Sequence, residues 1–368
     1  MTNKVKAIAR IGVLCFLVFS VVLFVFFREG DLQSARSVTT ISIGPGNSAA
    51  IQADGTLWAW GSNMNFRLGD ITNENRYSPV RILDEVSAIS YSRSCSMAIR
   101  SDASLWVWGI RNPVPSQIME DVVAISHSGE GLFGHTMAIR GDGSLWAWGN
   151  NSYGQLGNGE TEILRDPVKI MEDVTEISVG HNHTMAIRGD GSLWAWGNNR
   201  EGQLGDGTTE HRYNPTRIME DVALVSTHSW HTMAIQNDGS LWVWGNNSTG
   251  QLGNGTYVSS LIPIKVMSDV VAISAGGHSM ATQSDGSLWT WGLNNLGQLG
   301  DGTTISSNVP IEIMSNVVII SAGTHHSMAV QSDGSLWTWG INDFGQLGDG
   351  TTIDRHSPVR IMDNIKIP

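Results

Sequence analysis

The 368-residue sequence predicts an all-β fold, a seven-bladed β-propeller, preceded by one N-terminal transmembrane helix. Three observations carry this reading. The tetrapeptide Trp-x-Trp-Gly recurs seven times, glycine is abundant at 42 residues, and an uncharged apolar run of 17 residues lies close to the N-terminus. The first two call for many short strands joined by tight turns, and the third calls for a segment of a different kind.

In chain order, a basic stretch (1–6) with Lys4 and Lys6 comes first, followed by Arg10 and the run from Ile11 to Phe27. As a helix, residues 7–27 would span roughly 31 Å, enough to cross a bilayer if Arg10 snorkels to the headgroups. The competing reading is a cleaved secretory signal, whose apolar region is normally shorter and followed closely by a small-x-small site. The fair candidate for such a site, Ala35-Arg36-Ser37, starts well past the run, so an uncleaved signal-anchor is favoured. Leu14 before Cys15 is too bulky for a lipoprotein signal. The basic flank stays cytoplasmic under either reading, which places the remainder outside the cytoplasm or, after cleavage, makes it secreted. Residues 28–37 form a linker, and residues 38–368 the propeller.

The repeat fixes the architecture of that body. Trp58/Trp60, Trp106/Trp108, Trp146/Trp148, Trp194/Trp196, Trp242/Trp244, Trp289/Trp291 and Trp337/Trp339 account for 14 of the 15 tryptophans. They recur at intervals of 48, 40, 48, 48, 47 and 48 residues, a period that signals a repeat architecture. Each unit alternates short apolar stretches with Gly, Asp, Asn and Pro, which reads as about four strands. An Asp-Gly pair before most Leu-Trp-x-Trp-Gly segments supplies the positive φ of a two-residue hairpin turn, with Asp102-Ala103 as the exception. The strands are apolar on both faces, so each small sheet must be sandwiched between neighbours, and closing seven into a ring gives every face a partner.

Charge narrows the partners. The chain carries a formal −12, and five of its 22 Lys and Arg precede Val38 with only two of its 34 Asp and Glu, so the body is more acidic still. Such a surface repels phosphate backbones, which disfavours nucleic acid. The two cysteines, Cys15 and Cys95, lie in different environments and form no disulfide framework.

The unit GHNHTMAIRGDGSLWAWGNNREGQLGDGTT resembles the repeat of the regulator of chromosome condensation family, and the resemblance runs from Val38 to the C-terminus. It implies a seven-bladed propeller and, given the N-terminal segment, an exported bacterial-type member. Its founding members exchange guanine nucleotide on a small GTPase and bind chromatin, others are interaction platforms, and a secreted branch inhibits β-lactamases. The sequence departs from the pattern in three places. The second unit lacks the whole Gly-Gln-Leu-Gly segment, the third carries extra residues around Ser128 to Gly134, and the first reads Arg67-Leu68-Gly69-Asp70.

A histidine seven residues before the turn Asp recurs at His135, His183, His231, His278 and His326, with Asn47 and Cys95 in the other two units. A structural role, satisfying polar groups between inner strands, is favoured over metal ligation, which would require several imidazoles to converge on one ion. No phosphate loop, Gly-x-Ser-x-Gly, His-Glu-x-x-His or singular acid-base pair is present, so no catalytic, cofactor or metal residue is assigned. Residues that break the symmetry are the candidates for binding a protein partner. They are Trp230, the one tryptophan outside the repeat, the register-matched pairs Arg76-Tyr77, Arg212-Tyr213 and Arg355-His356, and Leu132 and Phe133 in the third unit's insertion. The expected function is a non-catalytic protein-interaction scaffold anchored in the membrane. A secreted enzyme inhibitor and a guanine-nucleotide exchange factor are the alternatives.

Overall fold

The computed structural model describes residues 40–92, 95–110, 112–128, 134–228 and 230–367. The segment assigned from sequence to the cytoplasmic stretch, membrane helix and linker lies outside them. Among the described residues no helix is long and apolar enough to cross a membrane.

The described residues form seven antiparallel four-stranded sheets, each made of strands consecutive in sequence. Blade 1 holds β1 (Ile41–Gly44), β2 (Asn47–Ile51), β3 (Leu57–Gly61) and β4 (Arg76–Leu83). The others run from β5 (Val86–Tyr91) through β6 (Cys95–Arg100) and β7 (Leu105–Gly109) to β8 (Asn112–Met119), and from β9 (Val122–Ser128) to β12 (Leu164–Met171). Blade 4 spans 174–219, blade 5 spans 222–267, blade 6 spans 270–314 and blade 7 spans 317–362. This is the seven-bladed propeller the repeat implied.

Within each blade the first strand faces the central axis and the fourth faces solvent. The first strands are stitched to one another by a serine repeated in most blades. Ser42, Ser126, Ser178, Ser226 and Ser274 each accept, through Oγ, the backbone N–H of the next blade's first strand, at 2.9–3.1 Å. The apolar clusters lie between blades. One joins Met185, Ile187 and Leu193 of blade 4 to Val222, Val225 and Trp244 of blade 5. Another joins Ile41 and Trp60 of blade 1 to Met328, Val330 and Leu336 of blade 7, which closes the ring.

Closure joins residues from the two ends of the propeller. Ile365 pairs with Gln52 of blade 1, its N–H donating to Gly334 of blade 7, and Lys366 N–H donates to Ile51. In blade 4 the same positions are taken by Val174, which pairs with Arg188 and donates to Gly143 of the blade before. Thr40 then accepts from Ile51 N–H, so the innermost strand of blade 1 is assembled from Ile365-Lys366 followed by Thr40-Ile41. Ile365 and Lys366 thus supply the start of the strand that Thr40 and Ile41 continue.

The Asp-Gly turns differ from expectation in length. Gln52 N–H bonds to Thr56 C=O and Gly55 N–H to Gln52 C=O, so three residues form the loop, with Gly55 at φ +82. This is a type I turn completed by a left-handed residue, which needs glycine only at its last position. Ala103 occupies that position in blade 2 at φ +65, a strained choice for a residue with a Cβ. The Asp side chain completes the turn: Asp54 Oδ1 accepts from Thr56 N–H at 2.9 Å and from its hydroxyl at 2.7 Å, and these bonds hold its carboxyl below the usual range.

Candidate interaction face

The second strand begins opposite the end of the third, as in the pairing of His135 with Gly149. The loops after first strands and the loops between third and fourth strands therefore share one face of the ring, and the Asp-Gly turns occupy the other. The described candidates chosen from sequence, Arg76, Tyr77, Arg212, Tyr213, Trp230, Arg355 and His356, lie on the first face. Leu132 and Phe133 fall outside the described residues.

The Gly-Gln-Leu-Gly loops on this face act as latches between blades. In blade 3 the Gln155 carbonyl accepts two bonds from blade 4, from Trp196 Nε1 at 2.9 Å and from Thr184 Oγ at 2.8 Å. Leu156 is buried, and Gly157, at φ +79, lies flat on the indole, where a Cβ would come 2.7 Å from Trp196 Nε1. The same arrangement joins Gln203 to Trp244, Gln251 to Trp291, Gln298 to Trp339 and Gln346 to Trp60. In blade 1, Arg67 replaces glutamine, and its carbonyl still accepts from Trp108 Nε1 at 3.0 Å and Ser96 Oγ at 2.7 Å. A main-chain carbonyl serves whatever the side chain.

The repeated histidines complete these latches. His135 Nε2 bonds Thr184 Oγ at 2.9 Å, His231 bonds Ser279 at 2.9 Å, His278 bonds Ser327 at 2.7 Å, His326 bonds Ser48 at 2.9 Å, and His183 bonds Thr227. Four of these hydroxyls, those of Thr184, Ser279, Ser327 and Ser48, also donate to a latch carbonyl, so they accept from Nε2–H, which leaves the opposite nitrogen bare. Burial holds these imidazoles neutral, bringing those of His183, His231, His278 and His326 down to about 3. Each ring is committed to a neighbouring blade, and no group of three or more His, Cys, Asp or Glu suited to a metal occurs among the described residues.

The Arg-aromatic pairs support the same loops. Arg76 pairs with Asp70 at 2.6 Å, Arg212 with Asp206 at 2.6 Å and Arg355 with Asp349 at 2.7 Å. Burial raises the proton affinity of these carboxylates, but the bonds from arginine, threonine and asparagine outweigh it and hold all three below the usual range. Tyr77 packs on Gly345, Tyr213 on Gly154 and His356 on Gly297, each glycine belonging to the preceding blade's latch loop. Tyr77 and Tyr213 nonetheless remain 46% and 42% exposed, and Trp230 is 48% exposed. An exposed indole at a loop tip is suited to anchoring a partner.

The chain matches the RCC1-like domain over residues 112–367, and a Regulator of chromosome condensation (RCC1) repeat over residues 54–99. It belongs to the RCC1-like family. No curated protein matches the chain in sequence. Among solved structures, the RCC1-like propeller is similar to human WBSCR16 at 23% identity and a TM-score of 0.74, covering 83% of this chain and 94% of that one. It is similar to Prp20p from Saccharomyces cerevisiae, described with its binding properties to Gsp1p and histones, at 21% identity and a TM-score of 0.69, over 77% and 80% of the two chains. A chain from the structure of Kap60 bound to yeast RCC1 (Prp20) gives 18% identity and a TM-score of 0.75, over 97% and 91%. At these identities the likeness establishes the fold alone.

Sequence reasoning missed one feature of the RCC1-like face. Blade 2 has only residues 110 and 111 between β7 and β8, so it offers blade 3 no latch. Trp148 is half-buried there, whereas its six counterparts are buried. Cys95 stands where five other blades place histidine. His127, from the first strand of blade 3, takes over by bonding Thr136 Oγ through Nδ1 at 2.7 Å and Cys95 Sγ through Nε2 at 3.2 Å. The signal was present in the shortened second unit, but its effect falls on the unit that follows.

Proposed function

We propose that this RCC1-like propeller is a non-catalytic scaffold that binds a protein partner through its loop face and is held at a membrane by its N-terminal segment, with the ring outside the cytoplasm. The observation that carries the reading is the gathering of symmetry-breaking side chains on one face, with Trp230 about half exposed among loops that latches hold rigid. A preorganised face of this kind loses little entropy on binding. The acidic body favours a basic protein surface over a nucleic-acid backbone. Structural neighbours with Gsp1p, histones and Kap60 as partners support protein binding in this fold. The membrane assignment rests on the uncharged run from Ile11 to Phe27.

The test is crosslinking on intact cells, with identification of what is captured. Capture by the full chain that falls at least tenfold in Trp230→Ala, with protease shaving that removes the propeller, is the expected result. Capture unaffected by Trp230→Ala together with Tyr77→Ala and Tyr213→Ala, or a propeller protected from shaving, would contradict it.

A further inference from the structure

The geometry points to the seam between blades 2 and 3 as an unfilled latch socket that receives a tight x-Leu-Gly turn from a partner protein. This rests on the reading of the loop face as a partner-binding face and specifies the chemistry of what docks there.

Six copies of the filled socket show what it accepts. Each holds a main-chain carbonyl on the indole N–H, a glycine at positive φ flat against the indole, and, beside it, a buried leucine. At the blade 2–3 seam the receiving groups are present, and no described residue supplies the insert. Trp148 Nε1 has no hydrogen-bond acceptor among the described residues, and no glycine lies on its ring as Gly157 lies on Trp196. The leucine is missing too. Leu68, Leu156, Leu204, Leu252, Leu299 and Leu347 are buried at the six filled seams, whereas blade 2, with residues 110 and 111 alone between β7 and β8, supplies no counterpart. Val107 is half-buried, while Ala59, Ala147, Ala195 and Val243 at the same repeat position are fully buried.

One tautomer of His127 frees the hydroxyl that would meet the incoming carbonyl. With the Cys95 thiol donating to His127 Nε2, Nδ1 carries the ring proton and donates it to Thr136 Oγ. The Thr136 hydroxyl proton is then free to be donated, as Thr184 donates to Gln155. A turn with any side chain larger than hydrogen on the indole is excluded by the same contact that requires glycine in the six filled copies. A leucine before that glycine supplies the apolar side chain the seam lacks.

The probe is a backbone-cyclised peptide with the sequence of residues 151–159, Asn-Ser-Tyr-Gly-Gln-Leu-Gly-Asn-Gly, titrated into the full chain in detergent and read by the indole N–H resonance of Trp148. Saturable binding is expected. Gly157→Ala or Leu156→Asp in the peptide should weaken it more than tenfold, and Trp148→Phe in the protein, which removes the donor, about fivefold. A second variant replaces residues 110 and 111 with residues 198–211 of blade 4, so that the chain fills its own socket. This graft should abolish peptide binding and slow hydrogen exchange at Trp148. No saturable shift, equal shifts with the Leu156→Asp peptide, or a graft that leaves Trp148 exchange fast would each overturn the socket. A self-associated chain that protects Trp148 without peptide would assign the seam to a second copy and also overturn it. Loss of peptide binding with cell-surface capture intact refutes the socket alone. Loss of capture with peptide binding intact refutes the wider reading alone.

Discussion

The seam between blades 3 and 4 and the seam between blades 2 and 3 are built from the same repeat, and they differ in one loop. At the first, Gln155, Leu156 and Gly157 cover Trp196 and bury it. At the second, the loop is absent, and Trp148 and Val107 are left half-buried. The difference shows that the two tryptophans of a blade depend on separate surroundings. The first indole usually bonds within its own turn, as Trp146 Nε1 bonds Ser144 Oγ at 2.9 Å, so its hydrogen bond does not depend on the neighbour. The second is completed only by the blade before. Deleting a loop from one blade therefore exposes a residue of the next.

Four predictions probe this contrast. The largest effect is expected from removing residues 364–368, which takes away the strand segment that completes blade 1 and joins it to blade 7. Circular dichroism should show a Tm lower by more than about 10 °C or loss of cooperative unfolding, since an opened ring exposes the faces of two blades.

Acid comes next. The latch histidines are neutral in the fold, with folded values near 3 against an ordinary 6.5. The unfolded chain therefore binds more protons below that ordinary value, so stability is full above about pH 6.5 and is lost as pH falls toward 3. Tm measured across this window should fall steeply, and His183→Gln should flatten the slope.

Gly157→Ala should destabilise by about 2–4 kcal/mol, because the added methyl strikes the Trp196 indole at a backbone conformation that disfavours alanine. Denaturant midpoints would measure it, and a change under about 0.5 kcal/mol would remove the close contact on which the latch rests. The smallest effect has the opposite sign. Ala103→Gly should stabilise by about 0.5–1 kcal/mol by relieving the left-handed alanine in blade 2's turn.

Local chemistry accounts for what the sequence made legible. Seven tryptophan pairs recurring every 40–48 residues imply stacked sheets, and the Asp-Gly pairs mark turns, because each signal acts within a few residues. The composite strand of blade 1 was not legible, since Ile365 and Thr40 meet only after the ring closes and no local pattern records that register. The register-matched arginines illustrate a second limit. Residue type marks Arg76 and Tyr77 as suited to binding, but only the fold reveals that Asp70 and Gly345 already engage them. The same limit applies to His127, which looks like an ordinary strand residue until Cys95 and Thr136 are brought beside it.

The most direct test of the account is hydrogen exchange at the seven second-position indole N–H groups, resolved by nitrogen-15 labelling of tryptophan in the full chain. Slow exchange at Trp60, Trp108, Trp196, Trp244, Trp291 and Trp339, with Trp148 faster by at least about a hundredfold, is the predicted result. Seven similar rates would contradict it, because an equally protected Trp148 means that the loop-bearing blades owe their closed seams to something other than the latch.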